Sequence, residues 1–245
     1  MWTRRDLKTR AKTVLKTSYW QAFLVSLIIG IAGGNGSPSF NWNTGSSDFS
    51  SSSDLFGGGD MTAFIILAVV LSIVGFILLL VMAFRIFLGY PLEIGGRKYF
   101  VQSQQEMVDM NHLGFAFNRA RYWDIIKSMF WRALMNFLWY LLLIIPGIVM
   151  AYAYRMVPYI LADNPNIGYK RALQLSVDMT RGHKFRIFVL DLSFIGWILL
   201  GVLALFIGVL FVMPYINATN AELYLVLRQS ALDRGMCSKE ELALS

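Results

Sequence analysis

Six ionisable side chains stand where the neighbouring sequence is apolar: Arg85, Glu93, Arg132, Arg155, Asp191 and Glu222. A charge at the middle of a membrane helix costs roughly 2.5 to 3.5 kcal/mol on insertion scales, so each of these groups needs a partner, a wet cavity or an escape to the interface. Each lies four to eight residues from a boundary marked by Lys, Arg, Pro or Asp. At 1.5 Å rise per residue that spacing is about 6 to 12 Å, which gathers the six into one polar layer near one face of the bilayer. Three are basic and three acidic, so the layer can neutralise itself. Arg155 and Asp191 are the first expected pair, because their depths agree and their segments are neighbours. Asn136, Asn217 and Asn220 add amides near the same level. Three readings stay open. The charges can snorkel or lock helices together, they can border a site for a polar solute or peptide, or they can do catalysis.

Recognisable catalytic patterns are missing. There is no Gly-rich loop before a Lys-Ser or Lys-Thr pair and no Ser-centred nucleophile elbow. The single cysteine, Cys237, forms no internal disulfide, and with only His112 and His183 there is no metal-ligand spacing. No catalytic residue, cofactor or metal is therefore expected. His183, beside Lys184, reads as an interfacial histidine at a helix entry, and Gly95-Gly96 reads as a turn.

The elements that carry these groups are long apolar runs. The chain has 245 residues, 56% hydrophobic and 15% charged, with a mean hydropathy of +0.54. That composition excludes a water-soluble domain and predicts an all-α, polytopic membrane protein. Six transmembrane helices are expected at 18–32, 61–88, 128–145, 148–162, 187–201 and 202–227. Residues 1–17 form a basic amphipathic helix, 89–127 a cytoplasmic segment, 163–186 a second cytoplasmic stretch and 228–245 a tail. Between the first two spans, 33–60 holds fifteen Gly or Ser among its 28 residues and no Lys or Arg, so it reads as an outer loop. Pro146-Gly147 reads as the tight outer turn between spans three and four.

None of the 22 Lys and Arg residues lies between Thr17 and Phe84. This is the asymmetry of the positive-inside rule, and it places both termini in the cytoplasm. The +7 net charge is thereby accounted for by topology and anionic lipid, without nucleic acid.

Internal similarity supports three units. Residues 157–164 (VPYILADN) match 213–220 (MPYINATN) at an offset of 56, sharing Pro, Tyr, Ile, Ala and Asn. Tyr90-Pro91 is a weaker echo, and Tyr19-Trp20 resembles Tyr122-Trp123. Each unit reads as an amphipathic cytoplasmic helix (4–17, 106–121, 166–181) followed by a hairpin of two spans. Pro158 and Pro214 are expected to kink spans four and six at equal depth.

Four ordered blocks, 137–149 (FLWYLLLIIPGIV), 157–165 (VPYILADNP), 180–186 (TRGHKFR) and 192–201 (LSFIGWILLG), resemble the bacterial integral-membrane family catalogued as domain of unknown function 975. The resemblance is strongest over 113–224. It implies a multi-pass protein of the bacterial cytoplasmic membrane, without an assigned activity or catalytic residues to carry over. The chain is also distantly similar to the membrane domain of some glycerophosphodiester phosphodiesterases, but their hydrolase chemistry has no counterpart here.

The leading functional expectation is non-catalytic transport or sequestration of a small solute, lipid or membrane-active peptide, in a water-accessible pocket bordered by Arg155, Asp191 and Glu222. The alternative is an interaction protein whose basic helices bind anionic lipid or a cytoplasmic partner. Membrane lipids are partners in both. Oligomeric state is not legible.

Overall fold

The computed structural model describes residues 2–32, 61–105, 110–203 and 207–244; the expected outer loop, 33–60, lies outside them. Among the described residues the regular structure is helical, with no strand. The helices are α1 (Arg4–Ile31), α2 (Met61–Phe84), α3 (Tyr90–Ser103), α4 (Arg119–Leu142), α5 (Ile144–Ala153), α6 (Val157–Asp163), α7 (Tyr169–Thr180), α8 (Lys184–Leu203) and α9 (Ile207–Asp233). Among the described residues, three stretches are long and apolar enough to cross a membrane: Phe64–Ser103, Ile144–Asp163 and Lys184–Val202. α1 makes a fourth if its two arms count as one bent span.

α1 begins with Thr3, whose hydroxyl accepts from the Asp6 N–H at 3.2 Å and so satisfies one orphan donor of the first turn. At Ser18 the backbone leaves helical geometry (φ −129°, ψ 29°). The Ser18 hydroxyl donates to the Val14 carbonyl at 3.2 Å, a back-bond that bends helices. The arms on either side of this break, Arg4–Lys16 and Ser18–Ile31, meet at 107°. Leu7, Ala11 and Leu15, spaced by four, are buried on one face of the first arm.

At Tyr90-Pro91, where span two is expected to end, the helical backbone continues. Five residues, Arg85–Gly89, form a π turn, and α3 continues to Ser103. Pro91 has no N–H for the Phe87 carbonyl four residues earlier. The Tyr122 hydroxyl donates to that carbonyl instead, at 2.8 Å. The 40 residues from Phe64 to Ser103 rise about 60 Å, twice a hydrocarbon core, so only one half can sit in lipid. α2 is apolar all round and exposed along its length, whereas α3 is almost wholly buried.

Gly95-Gly96, expected as a turn, is helical and buried. A Cβ at Gly95 would meet the Leu113 carbonyl oxygen at 2.4 Å, and one at Gly96 would meet the Ile29 side chain at 2.5 Å. The two glycines therefore serve close packing rather than chain reversal. The expected amphipathic helix 106–121 is also different. Met110–Phe117 is a 3-10 turn held sideways on α3, with Phe115 between the Lys98 ammonium (3.3 Å from the ring centre) and the Arg121 guanidinium (4.5 Å). Its first residues, 106–109, lie outside the described ones.

The α4–α5 reversal falls at Leu143 (φ −160°, ψ 143°). Pro146 sits inside the first turn of α5, where its missing N–H leaves nothing unsatisfied. α7 starts at Tyr169 because Gly168 takes φ 83°, which only glycine adopts freely. Pro158 follows a break between α5 and α6, while Pro214 lies within the continuous α9. The expected matched kinks are thus one break and one continuous helix.

The core lies among α3, α6, α7, the lower part of α9 and the first arm of α1, around fully buried Tyr99, Phe100, Ile160, Leu161 and Tyr224. The ends of α4, α5 and α8 expose Leu141, Leu142, Ile144, Ile145, Leu199 and Leu200. After α9 the tail folds back: the Asn164 amide donates to the Glu241 carbonyl at 2.9 Å, and Arg171 donates to the Met236 carbonyl at 2.7 Å while clasping the Glu241 carboxylate.

Two outcomes are expected. Gly95→Ala forces backbone apart and should lower stability by about 1 to 3 kcal/mol, read as a lower melting temperature in detergent; wild-type melting would refute the α3–Leu113 approach. The Arg171 hydrogen bond holds the Glu241 carboxyl below the ordinary range. Its stabilisation is therefore present above the unfolded value and is lost as pH falls through the lower folded value. The pair is partly solvated, so the effect should be below about 1 kcal/mol, seen as lower protection of the amides of residues 236–244 in acid once the pH dependence of intrinsic exchange is divided out.

Candidate functional site

The buried polar side chains form three linked nodes rather than one ring. At the first, Arg97 on α3 is 3% exposed. It donates to the Tyr159 hydroxyl on α6 at 3.1 Å and to Asn217 Oδ1 on α9 at 2.9 Å. Its guanidinium lies 3.6 Å from Glu93, one turn earlier on α3. Glu93 in turn faces Arg132 of α4 at 3.9 Å. The Asn217 amide donates to Ser26 on α1 at 3.0 Å. One guanidinium and its immediate partners thus tie together α1, α3, α4, α6 and α9.

At the second node Arg155, in the break between α5 and α6, grips Asp191 of α8 through both guanidinium nitrogens, with Nη2 to Oδ1 at 2.8 Å. The same Nη2 donates to Asn220 of α9 at 3.0 Å. This fork-on-carboxylate geometry is the strongest form of ion pair. At the third, Asp163 closes α6 by accepting from the Tyr224 hydroxyl at 2.6 Å and from Arg228 at 2.9 Å, both on α9. Tyr159 stacks on Tyr224 (5.3 Å between centroids), joining the first node to the third.

Of the six residues singled out from the sequence, Arg155 and Asp191 meet each other, and Glu93 and Arg132 meet through Arg97's neighbourhood. Arg85 is exposed in the π turn. Glu222 lies apart from them, 4.0 Å from Arg10 on the first arm of α1. Among the described residues the expected pocket does not gather all three: Arg155 and Asp191 are buried against each other, while Glu222 lines a separate cleft. The reason is the Asn220 amide, which completes the Arg155 donors from within the bundle. Asn136, placed with the layer by its depth, has a buried carbonyl oxygen with no hydrogen-bond partner among the described residues.

Arg97 was not singled out, because the Gly95-Gly96-Arg97-Lys98 run resembles a charged loop. The usable signal was helical spacing: Glu93 and Arg97 are four apart, the distance at which charges face each other on a helix.

The cavity at Glu222 is an open cleft of about 1030 Å³ between the first arm of α1, the end of α3 and the C-terminal half of α9. Its wall includes Arg10, Gln104, His183, Arg228 and Asp233. Trp2 Nε1, both amide atoms of Gln104 and His183 Nδ1 are buried there and find no hydrogen-bond partner among the described residues. Burial, with Arg186 and Arg234 adding, pushes His183 below the ordinary histidine range. The ring is thus neutral at neutral pH. The wall accordingly offers hydrogen-bond donors, acceptors and charges of both signs.

Breaking one buried pair should be worse than removing both charges. Asp191→Leu alone strands Arg155 and should cost about 3 to 5 kcal/mol, whereas Asp191→Leu with Arg155→Met should recover most of it. Chemical denaturation in detergent across the double-mutant cycle measures this; additive losses would show that the two groups act independently.

No curated protein and no solved structure matches the chain. A family model, described as protein of unknown function (DUF975), matches residues 61–231. That match covers the α2–α9 body together with all three buried nodes except Ser26, and the chain belongs to this family.

Proposed function

We propose that this protein crosses the bacterial cytoplasmic membrane six times as three hairpins, with both termini inside, and binds a polar ligand carrying charges of both signs, in the manner of a short peptide segment. Sequestration from the cytoplasmic side suits it better than passage through the membrane. The spans are the second arm of α1, α2, the apolar half of α4, α5 with α6, α8 and α9. Supporting this are the tight α4–α5 reversal, the exposed apolar helix ends and the confinement of Lys and Arg to one flank.

One observation carries the functional reading: the cleft beside Glu222, lined by charges of both signs from Arg10, Glu222, Arg228 and Asp233. A cleft that presents charges of both signs suits a ligand that carries both. Its size fits a ligand of several residues rather than an ion. The sealed Arg155–Asp191–Asn220 node offers no polar route onward into the bundle.

The test uses single cysteines in a Cys237→Ser background. Thr13→Cys and Gln229→Cys should react with an impermeant maleimide in inverted membrane vesicles and at least tenfold less in right-side-out ones; the opposite preference sinks the orientation. Purified protein mixed with a pool of short zwitterionic peptides should retain adducts in native mass spectrometry. Gln104→Ala with Glu222→Gln should lose them, and equal retention would refute the cleft as the binding site.

A further inference from the structure

The first arm of α1 has a second, oppositely directed pocket, of about 630 Å³, between it and helices α8 and α9. From the arm it is lined by Arg4, Arg5, Lys8 and Lys12, with the hydroxyls of Thr3 and Thr9. The bundle contributes Ser193, Trp197 and Tyr215. None of these nine residues is acidic. Among the described residues no carboxylate forms a salt bridge with any of the four cations.

Four uncompensated cations in one recess repel each other, and the geometry records it. Lys8 reaches across the pocket to donate to the Ser193 hydroxyl at 2.8 Å, and its ammonium sits 4.3 Å from the centre of the Phe194 ring. Burial, followed by the Arg4 and Lys12 charges, holds it below the ordinary lysine range. Lys12 lies 5.7 Å from the Tyr215 ring. Such an arrangement calls for an anion with several acceptor oxygens.

The position of the recess says what carries that anion. Along α9, Tyr215 precedes the Glu222–Arg234 stretch that lines the cleft, so the arm separates the two cavities. The basic recess is on the side toward the hydrophobic ends of the bundle. Trp197 is 53% exposed at its edge, and Ile195, Leu199 and Leu200 continue the same exposed apolar surface along α8. Basic pockets between helices at the inner face, bordered by apolar surface, suit a phosphate with acyl chains attached. We infer that this recess binds the headgroup phosphate of an anionic phospholipid, with its acyl chains lying along the exposed apolar surface of α8 beside Trp197. The inference rests on the proposed orientation of the arm but not on the ligand of the cleft.

Native mass spectrometry of the full chain in mixed micelles tests it, with phosphatidylglycerol and phosphatidylcholine as probes. The wild type should retain phosphatidylglycerol at least tenfold better than phosphatidylcholine. Arg4→Gln with Arg5→Gln and Lys12→Gln changes only exposed side chains, so the arm stays packed; this variant should lose the preference. Lys8→Gln, read separately, should weaken it severalfold. A control with Lys170, Arg181 and Lys184 changed to Gln carries the same loss of charge and should behave as wild type. Equal loss in the control would mean that net charge alone attracts the lipid, and that would overturn the site. Undiminished retention by the triple variant would overturn it too. Competition separates the sources: displacement by millimolar glycerol 1-phosphate would show a site for free phosphate esters, and displacement by an acidic peptide a protein-docking surface, each contrary to the inference. Vesicle labelling reports the orientation independently, so a failure of topology and a failure of the lipid site give different results.

Discussion

A guanidinium stays charged at any pH a cell meets, so burying Arg97 obliges the fold to bring acceptors to it. They come from three directions: Glu93 on the same helix, Tyr159 from α6 and Asn217 from α9. Each acceptor is held in turn by a neighbour, Tyr159 by its stack on Tyr224 and Asn217 by Ser26. The remaining nodes share this logic. Arg155 is satisfied only when α8 and α9 are both in place, and Asp163 only when α9 passes beside the end of α6. Apolar packing in lipid gives helices little preference among partners. Directional bonds to fixed charges supply the preference, and α9 receives bonds at all three nodes.

The same arrangement explains how proline is tolerated three times. Pro91 leaves the Phe87 carbonyl without its helical N–H, and near the other two prolines a backbone carbonyl likewise accepts from a hydroxyl on another helix. Tyr122 caps Phe87 ahead of Pro91; Ser176 caps Ala153 ahead of Pro158, at 2.7 Å; Tyr19 caps Phe211 ahead of Pro214, at 3.1 Å. α9 runs on through Pro214, while α5 and α6 are separate helices.

How much of this was legible depends on how local the cause is. Arg155 and Asp191 stand alone in apolar surroundings at matched distances from their boundaries, and their pairing is readable because nothing else nearby could satisfy either. The α8–α9 division near Gly201 is readable from length alone. Arg97 is different. It follows two glycines and precedes Lys98, a composition typical of a loop, and the helix persists only because Leu113 and Ile29 press into the space those glycines leave. The continuation through Pro91 is hidden for a similar reason, since it depends on a hydroxyl 31 residues further along the chain. Glu222 sits beside Arg10 with no local signal in either segment, so its separation from the Arg155 node could not be foreseen.

The bend at Ser18 decides what the molecule can present to its surroundings. With the two arms at 107°, a second arm that runs across the membrane leaves the first lying close to its surface. Its apolar face, Leu7, Ala11 and Leu15, is used up against the bundle. Two flanks remain. One carries Arg10, Thr13 and Val14 toward the cleft, and the other carries Arg4, Arg5, Lys8 and Lys12 toward the apolar helix ends. An amphipathic helix on a bare membrane would turn its apolar face into the lipid; here protein takes that face, and the basic flank turns toward the exposed apolar surface of α8. A single helix thus borders both recesses, one on each side of its buried face.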